Sequence, residues 1–201
     1  MKVLIQRTAP LLATALLAAC ASPSPAPVLL TLPPASTASP VVPAAPASAP
    51  VLAVRRVTVP EYLVARRVRY RADASTLAEW PNTYWAERIE IGVSREFVAA
   101  LRRQLPGWTL CDANCGDRIP ALSLQLDLVP MDYLRAAQKL QAHARITVSS
   151  GGAVPHELQS QEQLYELPGA GDSAQAQAQA IAELIRQVAA AAAPLVLSAR
   201  P

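Results

Sequence analysis

Two alternating runs dominate the hydrophobic pattern of the chain. In Leu122-Ser123-Leu124-Gln125-Leu126-Asp127-Leu128 every second residue is leucine and the rest are polar. From Leu140 to Val148 the alternation returns, with Leu140, Ala142, Ala144, Ile146 and Val148 on one side. A period of two sends successive side chains to opposite faces, so both runs predict half-buried strands. Gly151-Gly152 marks a turn, and Leu158 to Tyr165 reads as a third, more polar strand suited to a sheet edge. Upstream, Arg67-Val68-Arg69-Tyr70-Arg71 alternates as strictly, arginines on one face and Val68 and Tyr70 on the other. The β-branched run from Val51 to Val59 reads as a strand that stops at Pro60. Pro60 to Leu63 reads as a turn, and Trp108 to Cys111 as a further short strand.

The period then changes to that of a helix in two places. Trp85, Ile89, Val93, Phe97 and Leu101 recur every fourth residue, with charged residues on the other faces. This predicts an amphipathic helix from about Thr83 to Gln104, entered through the aromatic segment Trp80–Trp85 and stopped by Pro106-Gly107. Ile181, Leu184, Ile185 and Val188 predict a second helix from Ala174 to about Ala193. Asp172 or Ser173 opens it as N-cap, and Pro194 ends it. Strands, helix, strands, helix fit an α+β fold: a two-layer sandwich in which two amphipathic helices pack one mixed, mostly antiparallel sheet. The expected domain covers residues 51–197.

Residues 1–50 carry neither period and call for a different explanation. Lys2 and Arg7 precede an apolar run from Ala9 to Leu17, as in a secretory signal. The run is too short for a bilayer span, which needs about 20 apolar residues. Leu17-Ala18-Ala19-Cys20 reads as a lipobox, which makes residues 1–19 a lipoprotein signal peptide and Cys20 the lipid attachment site. Ala21, rather than Asp, follows the cysteine and favours the outer membrane of a Gram-negative envelope. Residues 20–50 then form a lipidated Pro/Ala-rich linker, without charge after Cys20. Fully extended, it reaches about 100 Å. Val28-Leu29-Leu30-Thr31-Leu32 interrupts it, either as a short strand docked on the sheet or as an apolar spot in an unstructured arm. Beyond Cys20 no other stretch reads as apolar enough to span a membrane.

The formal charge of +3 includes Lys2 and Arg7. Without them the chain is close to neutral, which excludes the footprint of a nucleic-acid binder. Of the three cysteines, Cys20 is the anchor, and Cys111 and Cys115 are a disulfide candidate in an oxidising envelope. Their spacing is not the C-x-x-C of a redox site, and no zinc ligand set accompanies them. His143 lies on the polar face of a strand. His156 stands beside Glu157 without sequence-local ligands, and nothing marks Glu162 or Glu166 as an acid or base. With no nucleophile elbow, P-loop or dinucleotide fingerprint, the sequence nominates no catalytic residue, metal or cofactor.

The densest charge cluster is Arg55, Arg56, Arg66, Arg67, Arg69 and Arg71. It reads either as a solvated strand face that guards an edge, or as a surface for acidic partners such as phospholipid headgroups or a protein patch. Tyr62, Trp80 and Tyr84, expected in turns beside the arginines, suit a protein interface. The candidate interface is therefore Arg55, Arg67, Arg69, Arg71, Tyr62, Trp80 and Tyr84.

Val57-Thr58-Val59-Pro60-Glu61-Tyr62-Leu63, then Val68-x-Tyr70-Arg71, then Trp85-Ala86-Glu87 resembles the ABC-type transport auxiliary lipoproteins of the paraquat-inducible protein C type. Arg88 and Ile89 depart from the Pro and Leu usual in that family. Leu30-Thr31-Leu32 replaces its Tyr-x-Leu. The resemblance implies a non-enzymatic, two-layer periplasmic lipoprotein that acts as an accessory subunit of intermembrane lipid transport. It also implies MCE-domain proteins and inner-membrane transporter components as partners, and a homo-oligomer. The alternative function is a structural or assembly lipoprotein that binds another outer-membrane component.

Overall fold

The structure is a computed structural model that describes residues 25–34, 45–46, 48–112, 115–152 and 154–199. Cys20 and the signal peptide lie outside the described residues. The sheet is built on β6 (Leu122–Leu134). β7 (Lys139–Ser150) pairs antiparallel along its whole length, from Leu122 opposite Ser150 to Leu134 opposite Lys139. The other edge of β6 is shared. β2 (Val51–Val54) runs parallel to its first turns of alternation, Thr58 bridges Asp127, and β3 (Arg67–Arg71) meets Leu134. β8 (Glu157–Pro168) pairs antiparallel outside β7. β5 (Thr109–Cys111) lies parallel beyond β2, β4 (Leu77–Trp85) antiparallel beside β3, and β1 (Val28–Leu30) parallel beside β4. The eight strands form one open, mixed sheet.

β6 is longer than its leucine alternation. Leu122, Leu124, Leu126 and Leu128 point inward, then Val129 and Pro130 are both exposed, and Met131 and Tyr133 point inward again. The register shift between Leu128 and Met131 moves the buried phase from even to odd positions, the signature of a bulge. Proline is tolerated there because the ladder is already interrupted.

α1 (Ile89–Gln104) and α2 (Ala174–Ser198) pack together on one face of the sheet, giving the two-layer α+β architecture. Val93, Phe97 and Leu101 of α1 and Leu184, Ile185 and Val188 of α2 are fully buried against the strand leucines. Each such side chain contributes about 1.5–3 kcal/mol relative to exposure. Ser173, not Asp172, is the N-cap of α2, its Oγ accepting from Ala176 N at 3.1 Å.

Four expectations change. Thr83–Trp85 is strand, not helix: Trp85 closes β4 and is buried, and α1 begins at Ile89. The aromatic spacing imitated a helical stripe because strand end and helix face the same core. Pro194 lies inside α2 rather than ending it. It and Ala190, whose carbonyl it leaves without a donor, are both exposed, so water can satisfy that group. α2, 25 residues long, contains an 18-residue stretch of mean hydropathy 1.6, long and apolar enough by composition to cross a bilayer, yet 56 % of that stretch is buried inside the domain. Its alanines raise the hydropathy, and its packing is that of a core helix. Finally, the fold takes in residues before 51: Leu30 and Leu32 join the core through β1 and the residues after it.

Candidate functional site

Strict alternation in β3 buries Val68 completely and sends Arg67, Arg69 and Arg71 to the opposite side. There each guanidinium meets a carboxylate from a neighbouring strand. Arg67 Nη1 and Arg69 Nε each lie 3.3 Å from Glu79 of β4, and Arg71 Nε lies 3.1 Å from Asp132 Oδ2 of β6. The turn before β3 completes the cluster: Tyr62 donates its hydroxyl to Asp132 Oδ1 at 2.8 Å, and its carbonyl accepts from Arg69 Nη1 at 2.9 Å. Arg71 stands over the Tyr62 ring at 5.7 Å and Arg67 over the Tyr84 ring at 5.1 Å. Burial, and then the adjacent Asp132, push the Tyr62 hydroxyl above its ordinary range. The hydrogen bond to Asp132 holds Arg71 more firmly in its charged form.

Trp80 is not in a turn and not on this face. It points inward from β4, 6 % exposed, packs on Tyr70 at 4.8 Å and donates Nε1–H to Gln177 Oε1 of α2 at 2.7 Å. Gln177 in turn donates to the Arg69 carbonyl at 2.7 Å, so the buried amide links α2 to β3. Arg135 covers the aromatic pair, 4.9 Å from the Tyr70 ring and 4.5 Å from that of Trp80, and is held by Asp172 at 2.7 Å. That partnership raises the Arg135 guanidinium and lowers the Asp172 carboxyl.

Arg67, Arg69, Arg71, Tyr62 and Tyr84 are thus gathered into one face, with Trp80 behind it. Arg55 is elsewhere: it follows β2 and, with Arg56, lines a cleft beside α1. Sequence reasoning missed Glu79, Asp132, Arg135, Asp172 and Gln177. Asp132 lies past Pro130, where the alternation breaks, and Glu79 lies in a stretch without a readable period.

β4 also carries the catch for the N-terminal arm. Its pairing with β3 shifts register between Arg67 and Arg69, and Pro81-Asn82 occupies the resulting bulge. Asn82 adopts φ 49°, which asparagine tolerates better than most residues, and its Nδ2 donates to the carbonyls of Pro25 and Ala26 at 2.8 and 2.9 Å.

The remaining chemistry is sparse. Cys111 and Cys115 are bonded, with Cα atoms 5.3 Å apart, at the end of β5. His143 Nε2 lies 3.4 Å from Glu162, which is also paired with Arg145. Ser150 Oγ and His156 Nδ1 are 2.8 Å apart on an exposed turn. The same Ser150 oxygen accepts from the His156 backbone at 3.1 Å, so the pair ties the turn and has no carboxylate shown orienting the ring. Among the described residues no group of three His, Cys, Asp or Glu could hold a metal ion.

Solved structures share this architecture. One, a crystal structure of an uncharacterized protein, has a TM-score of 0.67 and 18 % identity, covering 86 % of this chain and 99 % of its own. Another, protein XCC0632 from Xanthomonas campestris, a DUF330 protein, has a TM-score of 0.61 and 16 % identity, covering 87 % and 95 %. At these identities the likeness concerns the fold. No curated protein matches the chain. The family model described as ABC-type transport auxiliary lipoprotein component matches residues 30–193, from the end of β1 into the last turns of α2. The chain belongs to the ABC-type transport auxiliary lipoprotein component family.

Proposed function

We propose that this protein is an outer-membrane lipoprotein, anchored through Cys20 on the periplasmic face, that serves as an accessory subunit of an MCE/ABC-type intermembrane lipid transport system. The observation that carries this reading is the family match over residues 30–193. The role is docking, not catalysis, with an MCE-domain protein and inner-membrane transporter components as partners and a homo-oligomer as the working state.

Docking of the N-terminal arm bears on how the body is held. Cys20 precedes the Pro25 carbonyl caught by Asn82 by five residues, a span of at most about 17 Å. That replaces the reach of about 100 Å read from an uninterrupted linker. A leash of this length keeps the β1–β4 edge close to the bilayer. The Arg67, Arg69, Arg71, Tyr62 and Tyr84 face is the proposed partner surface. Because Glu79 and Asp132 offset two of its three arginine charges, it presents aromatic edges and paired charges with only a small cationic excess.

The test is crosslinking in whole cells, followed by purification of the protein. Recovery of an MCE-domain protein is expected, with less recovered from the variant that combines Arg67→Glu and Arg69→Glu. Failure to recover any MCE-domain protein would reject the transport reading. For the anchor, Cys20→Ala should release the protein from the membrane fraction, and unchanged fractionation would reject lipidation at that site.

A further inference from the structure

Basic side chains in this fold are matched almost everywhere. Arg67, Arg69, Arg71, Arg88, Arg95, Arg135, Arg145, Arg186 and Lys139 each face a carboxylate. Arg103 and Arg118 have partners as well. Among the described residues Arg55, Arg56, Arg66 and Arg102 have none, and all of these but Arg66 line one cleft of about 390 Å³.

One wall of the cleft is Val54 with Arg55 and Arg56, where the chain leaves β2. The other is the α1 stripe Ile91, Ser94, Arg95, Val98 and Arg102, whose spacing of three and four puts them on one helix face. Asp112 contributes the only carboxylate to the lining. The first wall is held to β6 by Arg55 N, which donates to the Leu124 carbonyl at 2.9 Å, and to the α1 wall by Val57 N, which donates to Ser94 Oγ at 3.0 Å. Ser94 Oγ in turn donates a hydrogen bond to the Glu90 carbonyl at 2.6 Å, so its hydroxyl is part of the scaffold. Arg95 is committed to Glu87 at 2.5 Å and Glu96 at 3.1 Å. Arg55, Arg56 and Arg102 therefore line the cleft, exposed to solvent, with Asp112 as the one carboxylate beside them. A bound anion supplies the missing counter-charge.

We propose that this cleft binds a phosphate-bearing anion, with Arg55, Arg56 and Arg102 gripping the phosphate oxygens. Guanidinium forks match phosphate geometry bidentately, and the cleft is of small-ligand size. Ile91, 42 % exposed, and Val98 offer a short apolar strip beside the arginines. When the source is a lipid headgroup, the first carbons of its tails lie there; when it is free phosphate, the strip is bare. The site does not presuppose the transport partners, whose recovery from cells succeeds or fails independently of it.

The full chain in neutral phosphatidylcholine nanodiscs is titrated by calorimetry with dihexanoyl phosphatidylglycerol below its micellar concentration, with inorganic phosphate, and with tetraglutamate. Saturable binding of the short-chain lipid, tighter than that of phosphate, is the expected result and assigns the lipid source. Equal binding of phosphate supports the site and assigns the free anion. Arg56→Gln combined with Arg102→Gln should weaken either ligand by about tenfold or more, whereas Arg145→Gln, outside both the cleft and the partner surface, leaves it unchanged. Three results would overturn the proposal: no saturable binding of either phosphate probe, binding indifferent to the double variant when that variant unfolds at the wild-type midpoint, or tighter binding of tetraglutamate.

Discussion

Arg67, Arg69 and Arg71 on one side, and Arg55, Arg56 and Arg102 on the other, are two arginine triplets that the fold treats in opposite ways. The first sits on β3 between two strands that each supply an acid, so its charge is answered inside the molecule by Glu79 and Asp132. The second is brought together where the chain leaves β2 beside α1, and only Asp112 shares its cleft. In the sequence the first triplet looks the more available, since it forms an alternating run with Arg66 just before it. In the fold it is the less available. Charge density along a chain reports how many cations there are, and the neighbouring strands decide which of them are left for a partner.

Substitutions can break or sharpen this contrast. The largest effect belongs to Trp80, which lies behind the matched triplet. Trp80→Ala should cost about 3–5 kcal/mol in urea unfolding. A cost near that of a half-buried aromatic such as Tyr84 would return Trp80 to the surface. Next is Asp132, whose loss leaves Arg71, only 20 % exposed, and the Tyr62 hydroxyl without their acceptor. Asp132→Ala should cost about 1–3 kcal/mol. For the more exposed Arg67–Glu79 pair, Arg67→Glu should cost about 0.2–1 kcal/mol. In a Glu79→Gln background the cost of Arg67→Glu should shrink, since the pair is already broken; an unchanged cost would mean that Glu79 is not the partner that matters. Arg56→Gln, in the unmatched cleft, should shift stability by no more than about 0.5 kcal/mol, and a large loss would reveal a hidden partner there.

A shallower effect comes with acid. Glu162 is held below its ordinary range by Arg145, Glu166 by Gln141 and Lys139, and Asp172 by Arg135. A depressed carboxylate stabilises the folded state above its unfolded pKa and loses that contribution as pH falls through its folded pKa. Thermal midpoints should therefore hold near neutrality and decline below about pH 4. Glu162→Gln should flatten part of that decline, and an unchanged profile would exclude the Arg145 pairing as a contributor.

What the sequence revealed follows from where the physics is local. Strands β6 and β7 were legible because a period of two is imposed residue by residue wherever one face is buried. The α1 stripe from Ile89 to Leu101 was legible for the same reason. β8, mostly exposed, was legible as a polar edge strand after the Gly151-Gly152 turn. β4 was not, because Pro81 and Asn82 sit in a bulge whose cause is the register with β3, more than ten positions away. The extension of β6 beyond Leu128 was hidden by the phase change at Val129-Pro130. Docking of β1 depends on a cross-sheet partner, Thr83 to Trp85, which no local pattern can name. The arginine face of β3 was legible from its alternation, but the acids that pair with it come from other strands. Arg102 joins Arg55 and Arg56 in the cleft only through packing of α1, and Asp112 only through the pairing of β5 with β2.

The account as a whole turns on whether the matched face by the leash meets the transport machinery. Site-specific photocrosslinking in living cells, with the reactive residue at Tyr84 and, as a control, at Leu164 on the opposite sheet edge, measures this directly. An adduct between the Tyr84 position and an MCE-domain protein, absent from the Leu164 position, is the predicted result. Adducts at neither position, or at Tyr84 with an outer-membrane barrel alone, would contradict it.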